Sequence, residues 1–173
     1  MTDNSHGGVS VVNTLFAHNA WANLKLLNFC EQLSDAQLDT ATVGGYGTIR
    51  DTLVHIIGGE ISYVKRTNGR MPPTPLQRGQ LPSFAVLKEA ATWASDEMLQ
   101  LALSAQSDTL VEERDDTSKA EYPLASLMVQ AITHSTEHRT QIASIITQLG
   151  MEPPDTSGWM YMEETKQYRE SAL

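Results

Sequence analysis

Four stretches of this chain repeat apolar residues at three- and four-residue spacing, and each is closed by residues that end helices. That pattern leaves little freedom of fold class, because a 3.6-residue period can bury one face only as a helix. The first stretch covers about 9–33 and aligns Val12, Leu15, Phe16, Ala22, Leu26, Phe29 and Leu33. Ser34-Asp35 opens a polar link, and Gly44-Gly45-Tyr46-Gly47 breaks the pattern. The second covers about 48–69, with Thr48 placed as N-cap and Asn68-Gly69 as a stop. A Pro-rich connection from Met71 to Pro82 cannot be helical. The third covers about 83–106, opening at Ser83 and carrying Phe84, Leu87, Ala91, Ala94, Met98 and Leu101. The fourth covers about 123–149, with Pro123 in its first turn and Gly150 at its end.

No segment alternates as a strand would, and the acidic run Glu112-Glu113-Arg114-Asp115-Asp116 reads as a solvated loop. The expectation is therefore one all-α domain over residues 1–173, a four-helix bundle of helices about 30–40 Å long at 1.5 Å rise per residue. An aromatic, Met-rich tail over 158–169 is expected to pack on the body or on a second subunit.

A net charge of −9 without any basic stripe argues against a nucleic-acid partner. No apolar run approaches the length of a membrane span, so no membrane partner is expected. Met1 to Gly8 is polar and does not read as a leader. One cysteine excludes an internal disulfide, and Cys30 lies at helical spacing from Leu26, Leu27 and Leu33, which suits a small core residue. A reducing, cytoplasmic setting follows as the expectation.

The chemistry is concentrated in Ile132-Thr-His134-Ser-Thr-Glu-His138-Arg139-Thr-Gln-Ile142. At about 100° per residue, His138 lies roughly 40° around the helix from His134, on the stripe shared with Leu127, Ala131, Ile142 and Ile145. Two imidazoles on a core-facing stripe need hydrogen-bond partners or a common ion. By itself the pair fits hydrogen-bonded core or surface histidines as well as a metal site. His6 lies in the polar N-terminal segment and Cys30 has core spacing, so neither suits as a third ligand, and His18 also reads as a non-ligand. His55 lies opposite the apolar stripe of its helix, among Thr48, Thr52, Gly59 and Ser62. Such small neighbours leave room for an ion and a ligand, although an exposed surface histidine fits the same spacing.

The chain resembles the DinB/YfiT-like family of metal-dependent enzymes along essentially its whole length. The resemblance rests on Asn19-Ala-Trp21-Ala-Asn23 in the first helix, His55 early in the second, and His134-Ser-Thr-Glu-His138-Arg139-Thr140-Gln141-Ile142 in the last, followed by Leu149-Gly150. Many relatives carry Gly where this chain has Thr140. The resemblance implies a four-helix bundle with a long crossover connection, frequently a homodimer, and a metal-binding triad at His55, His134 and His138.

Three imidazoles with open coordination positions suit a catalytic divalent ion. Zinc or nickel fits best, with iron or manganese also compatible. The resemblance further implies a small-molecule substrate and a low-molecular-weight thiol such as bacillithiol, mycothiol or glutathione, in an S-transferase or a related hydrolase. A non-catalytic, stress-associated metal- or ligand-binding protein is the alternative. Glu137 and Gln141 are the candidates for catalytic or ligand-orienting roles, against a surface glutamate for Glu137. Glu60 falls on the apolar stripe and should be buried and paired with Arg50 or Arg139. Trp21 and Asn19 read as packing residues. A ferritin-like di-metal site needs Glu-x-x-His on two helices, and neither Glu60 nor Glu137 supplies it.

Overall fold

The computed structural model describes residues 10–76, 82–105, 108–114 and 116–168. His6, the polar start of the chain, Asp115, and the expected ends of the third helix at Gln106 and of the tail at Arg169 lie outside the described residues. In chain order the elements are α1 Val11–Cys30, α2 Asp35–Leu38, α3 Ile49–Asn68, α4 Phe84–Ser104, β1 Leu110–Arg114, β2 Lys119–Pro123, α5 Leu124–Gln148 and α6 Gly158–Glu164. The chain is mostly helical, as its periodicity requires.

Local signals set the helix ends. Thr48 caps α3 reciprocally: its hydroxyl accepts from the Asp51 N–H at 3.0 Å, while Asp51 Oδ2 accepts from the Thr48 N–H at 3.2 Å. Gly69 closes α3 in the left-handed conformation, φ 75°, which costs glycine little. Ser83 caps α4 by accepting from the Val86 N–H. Pro123 is not inside the first turn of α5; it ends β2 and stands at the N-cap position.

α1 packs against α4 and α5, and α3 packs against the same two helices. The consecutive pairs α1/α3 and α4/α5 are thus not the main neighbours, and the links between them carry α2 and the β1–β2 hairpin. The core comes in two apolar clusters. One gathers Leu26, Leu27 and Cys30 of α1 with Leu53, Ile56 and Ile57 of α3, Ala91 and Ala94 of α4, and Ile142, Ile145 and Ile146 of α5. The other gathers Phe16, Val64, Met98, Val111, Leu127 and Ala131. Each fully buried Leu or Ile contributes about 1.5–3 kcal/mol by leaving water.

Two further expectations fail. The acidic segment is not a loop but an antiparallel hairpin, Leu110↔Pro123 through Arg114↔Lys119. Its charges concealed the pattern: Val111 is buried opposite Tyr122, while Glu112 faces Arg114 and Lys119, and Glu113 pairs with Arg66 at 2.9 Å. One inward residue suffices to seat so short a ribbon once its carboxylates find cations. The link after α1 also contains a helical turn, α2, held by the reciprocal Ser34–Gln37 cap. The aromatic tail includes α6, which lies on α1 through Tyr161, Trp21 and the Lys25–Glu164 ion pair of 2.6 Å. Among the described residues, no helix is long and apolar enough to cross a membrane.

Candidate metal centre

Between the two apolar clusters runs a polar layer contributed by α1, α3 and α5. Glu60, 1% exposed, accepts at Oε1 from Asn19 Nδ2 (2.7 Å), Asn23 Nδ2 (2.8 Å) and Ser135 Oγ (2.8 Å). Arg139 Nη1 donates to the carbonyl oxygens of the same two asparagines at 2.8 and 2.6 Å. Glu60 is therefore buried and paired with Arg139 through Asn19 and Asn23. Arg50, the other expected partner, binds Asp35 and Asp39 instead. Burial lifts the Glu60 carboxyl above its ordinary value against the pull of those donors, and it lowers the Arg139 guanidinium to about 10. A buried carboxyl and guanidinium linked through two asparagine amides tie the registers of α1, α3 and α5 together, since slipping any helix would strand its partners.

The fixed register brings His55 of α3 against His134 and His138 of α5. One ring nitrogen from each of the three lies within 4.8 Å of the other two. His134 Nε2 and His55 Nε2, 79 residues apart in sequence, are 3.0 Å apart. The three rings cross at 60°, 87° and 74° with centroids 4.6–4.7 Å apart, so none is stacked on another. Burial first, then mutual repulsion, lowers the His134 pKa to about 4; burial and His138 also lower His55. Both rings are thus held neutral, the form that offers a lone pair to an ion.

Each imidazole is oriented by a different neighbour. His138 Nδ1 lies 2.9 Å from Gln141 Oε1, which also accepts from the Tyr46 backbone N–H at 3.2 Å. The backbone N–H can only donate, so the amide atom facing both is oxygen and His138 Nδ1 carries the proton. Its Nε2 lone pair is then free for the cluster, the usual arrangement behind a ligand histidine. His55 is stacked by Tyr46, with centroids 3.7 Å apart and planes at 12°. His134 meets the edge of Tyr63 and packs onto Gly59, where a Cβ would come within 2.8 Å of Cε1. The small-residue face beside His55 was expected to leave room for an ion and ligand; at Gly59 that room is taken by the His134 ring.

The donor set fits a divalent ion. Two Nε2 lone pairs 3.0 Å apart repel unless a proton or a cation lies between them, and imidazole nitrogen suits zinc and nickel. Gln141 joins the site as a neighbour of His138. Glu137 is exposed and does not join the imidazole cluster among the described residues. His18 lies elsewhere, its Nε2 2.9 Å from the Thr156 carbonyl and its ring between Trp21 and Tyr161. Tyr46 and Tyr63 were missed, and only the isolated aromatic inside Gly44-Gly45-Tyr46-Gly47 signalled the first.

Long helices that hold three converging imidazoles beside a buried polar layer define a helical protein with a three-histidine centre able to hold a metal ion. The chain matches the model of the DinB family over residues 1–170, and it belongs to that family. Comparison with curated proteins finds no match.

Proposed function

We propose that this DinB-family chain is a metal-dependent enzyme acting on a small molecule, with transfer of a low-molecular-weight thiol to an electrophile ahead of hydrolysis. The observation that carries the reading is the convergence of His55, His134 and His138, with the lone pair of His138 aimed by Gln141. A divalent ion, zinc or nickel first and iron or manganese next, would supply Lewis acidity that lowers the pKa of a coordinated water or thiol toward neutrality. The protein's part is to keep two imidazoles neutral, fix the tautomer of the third, and hold all three on rigid helices. The group beside His138 is a neutral amide, which orients but cannot take a proton; this supports thiol transfer over a hydrolase needing a general base. The architecture that goes with this reading is a single-domain four-helix bundle with a crossover connection, cytoplasmic and homodimeric, with the exposed Trp159 region as the candidate contact between subunits.

Metal analysis of purified wild type and His134→Ala after reconstitution tests the centre. Wild type should hold about one ion per chain and the variant far less; equal, near-zero contents would end the proposal. Mixing the zinc- or nickel-loaded protein with a model electrophile and bacillithiol, mycothiol or glutathione tests the reaction. Rates no higher than the metal-free control with every thiol would refute thiol transfer.

A further inference from the structure

The loop between α2 and α3 is built more firmly than a connection of its length needs. Its neck is closed by the Ala41↔Thr48 bridge and the hydrogen bond from Ile49 N to Thr40 O at 3.0 Å. Its body is then tied to α5 at two points one heptad apart. Gln148 Nε2 donates to Thr42 Oγ1 at 3.1 Å, and the Tyr46 N–H donates to Gln141 Oε1 at 3.2 Å. Between these ties Gly44, at φ 80°, makes the turn that presents Tyr46. The tyrosine is 55% exposed, so its ring contributes little to the core. Among the described residues, its ring stacks on the face of His55, and its edge meets His138 with centroids 5.6 Å apart.

Among the described residues no hydrogen bond orients the His55 ring from behind, as Gln141 does for His138. A stacked aromatic at 3.7 Å restricts the same rotation by contact, since turning about χ2 would drive the imidazole edge into the phenol ring. The backbone of the residue that stacks on one imidazole also holds the amide that orients the other.

We propose that Tyr46 is a positioning residue of the three-histidine centre, and that the Gly44–Thr48 segment is a single brace for two of its imidazoles: His55 through stacking and His138 through Gln141. This rests on the triad being a metal site, but the brace itself is a property of the metal-free protein and is tested there.

Two readouts separate the brace from the metal reading. In the metal-free protein, histidine-selective NMR reads the His55 ring protons and the His138 tautomer. Stacking should place the His55 ring protons upfield; Tyr46→Ala should release them and Tyr46→Phe should keep them. Gln141→Leu should abolish the Nδ1–H preference of His138. Zinc competition against a chromophoric chelator reads affinity: Tyr46→Phe should match wild type, and Tyr46→Ala should lose roughly 10- to 100-fold, the usual cost of removing a group that orients a ligand. The metal-free melting temperature should hardly change in either variant, which excludes general loosening as the cause. If Tyr46→Ala leaves the His55 resonances unmoved, the brace is refuted whatever zinc does. If the NMR changes appear but wild type binds no zinc, the brace stands and the metal reading falls. If wild type binds zinc and Tyr46→Ala binds it equally, the positioning role is overturned.

Discussion

Gly59→Ala should separate the stability of this protein from its capacity to hold a metal. Glycine in the middle of α3 costs about 0.5–1 kcal/mol relative to alanine, through the backbone entropy of the unfolded chain. The substitution should recover that amount in the metal-free protein. For a chain of this length about 2–4 °C accompanies each kcal/mol, so melting should rise by roughly 1–4 °C. The new methyl would lie 2.8 Å from His134 Cε1 and 3.3 Å from Nδ1, whereas ordinary contact begins at 3.4 Å, so the ring must retreat by about 0.6 Å (3.4 − 2.8). The atoms that give are the far end of a half-buried side chain, so the strain is relieved by turning His134, not by moving a helix. Metal–nitrogen distances tolerate only about 0.2 Å of error, and His134 would leave the set. Zinc affinity should then fall by at least the roughly 10- to 100-fold seen when a supporting group is lost. Gly58→Ala is the control: apart from the adjoining residues and the backbone of its own helix, nothing lies within 4 Å of its methyl, so it should gain the same stability and keep full affinity. Thermal melts of metal-free protein, paired with competition titrations against a chromophoric chelator, read both quantities. A Gly59→Ala protein that binds zinc within twofold of wild type, or melts several degrees lower, would refute this reasoning.

Replacing Glu60 by Leu should cost about 3–5 kcal/mol, since the amides of Asn19 and Asn23 and the Ser135 hydroxyl lose their common acceptor and Arg139, which donates to the two asparagine carbonyls, loses the carboxyl it is linked to; a urea midpoint unchanged from wild type would show the network to be energetically idle. The pH dependence follows from burial, which raises the Glu60 carboxyl above its ordinary 4.5. The folded protein then holds that proton more tightly than the unfolded chain, so the linked stability is full below about 4.5 and is lost as pH rises through the folded value. Between about pH 4 and pH 7, the stability of wild type relative to Glu60→Gln should therefore decline, and parallel urea-midpoint curves would contradict the raised value. Cys30, fully buried with its thiol pushed up to about 12, should resist a thiol reagent in the native protein near neutral pH and react completely in denaturant. Rapid native labelling would place it outside the core.

The helices were legible because periodicity and caps are local: Thr48, Gly69 and Ser83 act at the ends where their chemistry predicts. The hairpin was not, because a strand pair with one buried residue and several paired charges has no periodic signature; Val111 is inward only because Val64 and Met98 are already there to receive it. The pairing of Glu60 was half legible. Its place on an apolar stripe demanded a buried partner, but the choice between Arg50 and Arg139 depended on which helices pack, and two asparagines were needed to bridge the gap.

The centre shows the same division more sharply. The spacing of His134 and His138 is a property of one helix and could be read from the chain. His55 could be reached only as a histidine on an unusual face, because its meeting with the other two is a tertiary event. The small residue at Gly59 was seen, but its meaning depends on what occupies the space it leaves. An absent side chain announces a close approach without saying of what. In this fold the tenant is the His134 ring, so the glycine that reads as space for a ligand serves to admit a ligand-bearing side chain. Tyr46 lies beyond either kind of inference, since a loop side chain has no period and its contacts are made only after α3 and α5 have docked. That is also why substitutions there should alter the centre while leaving the helices that carry it intact.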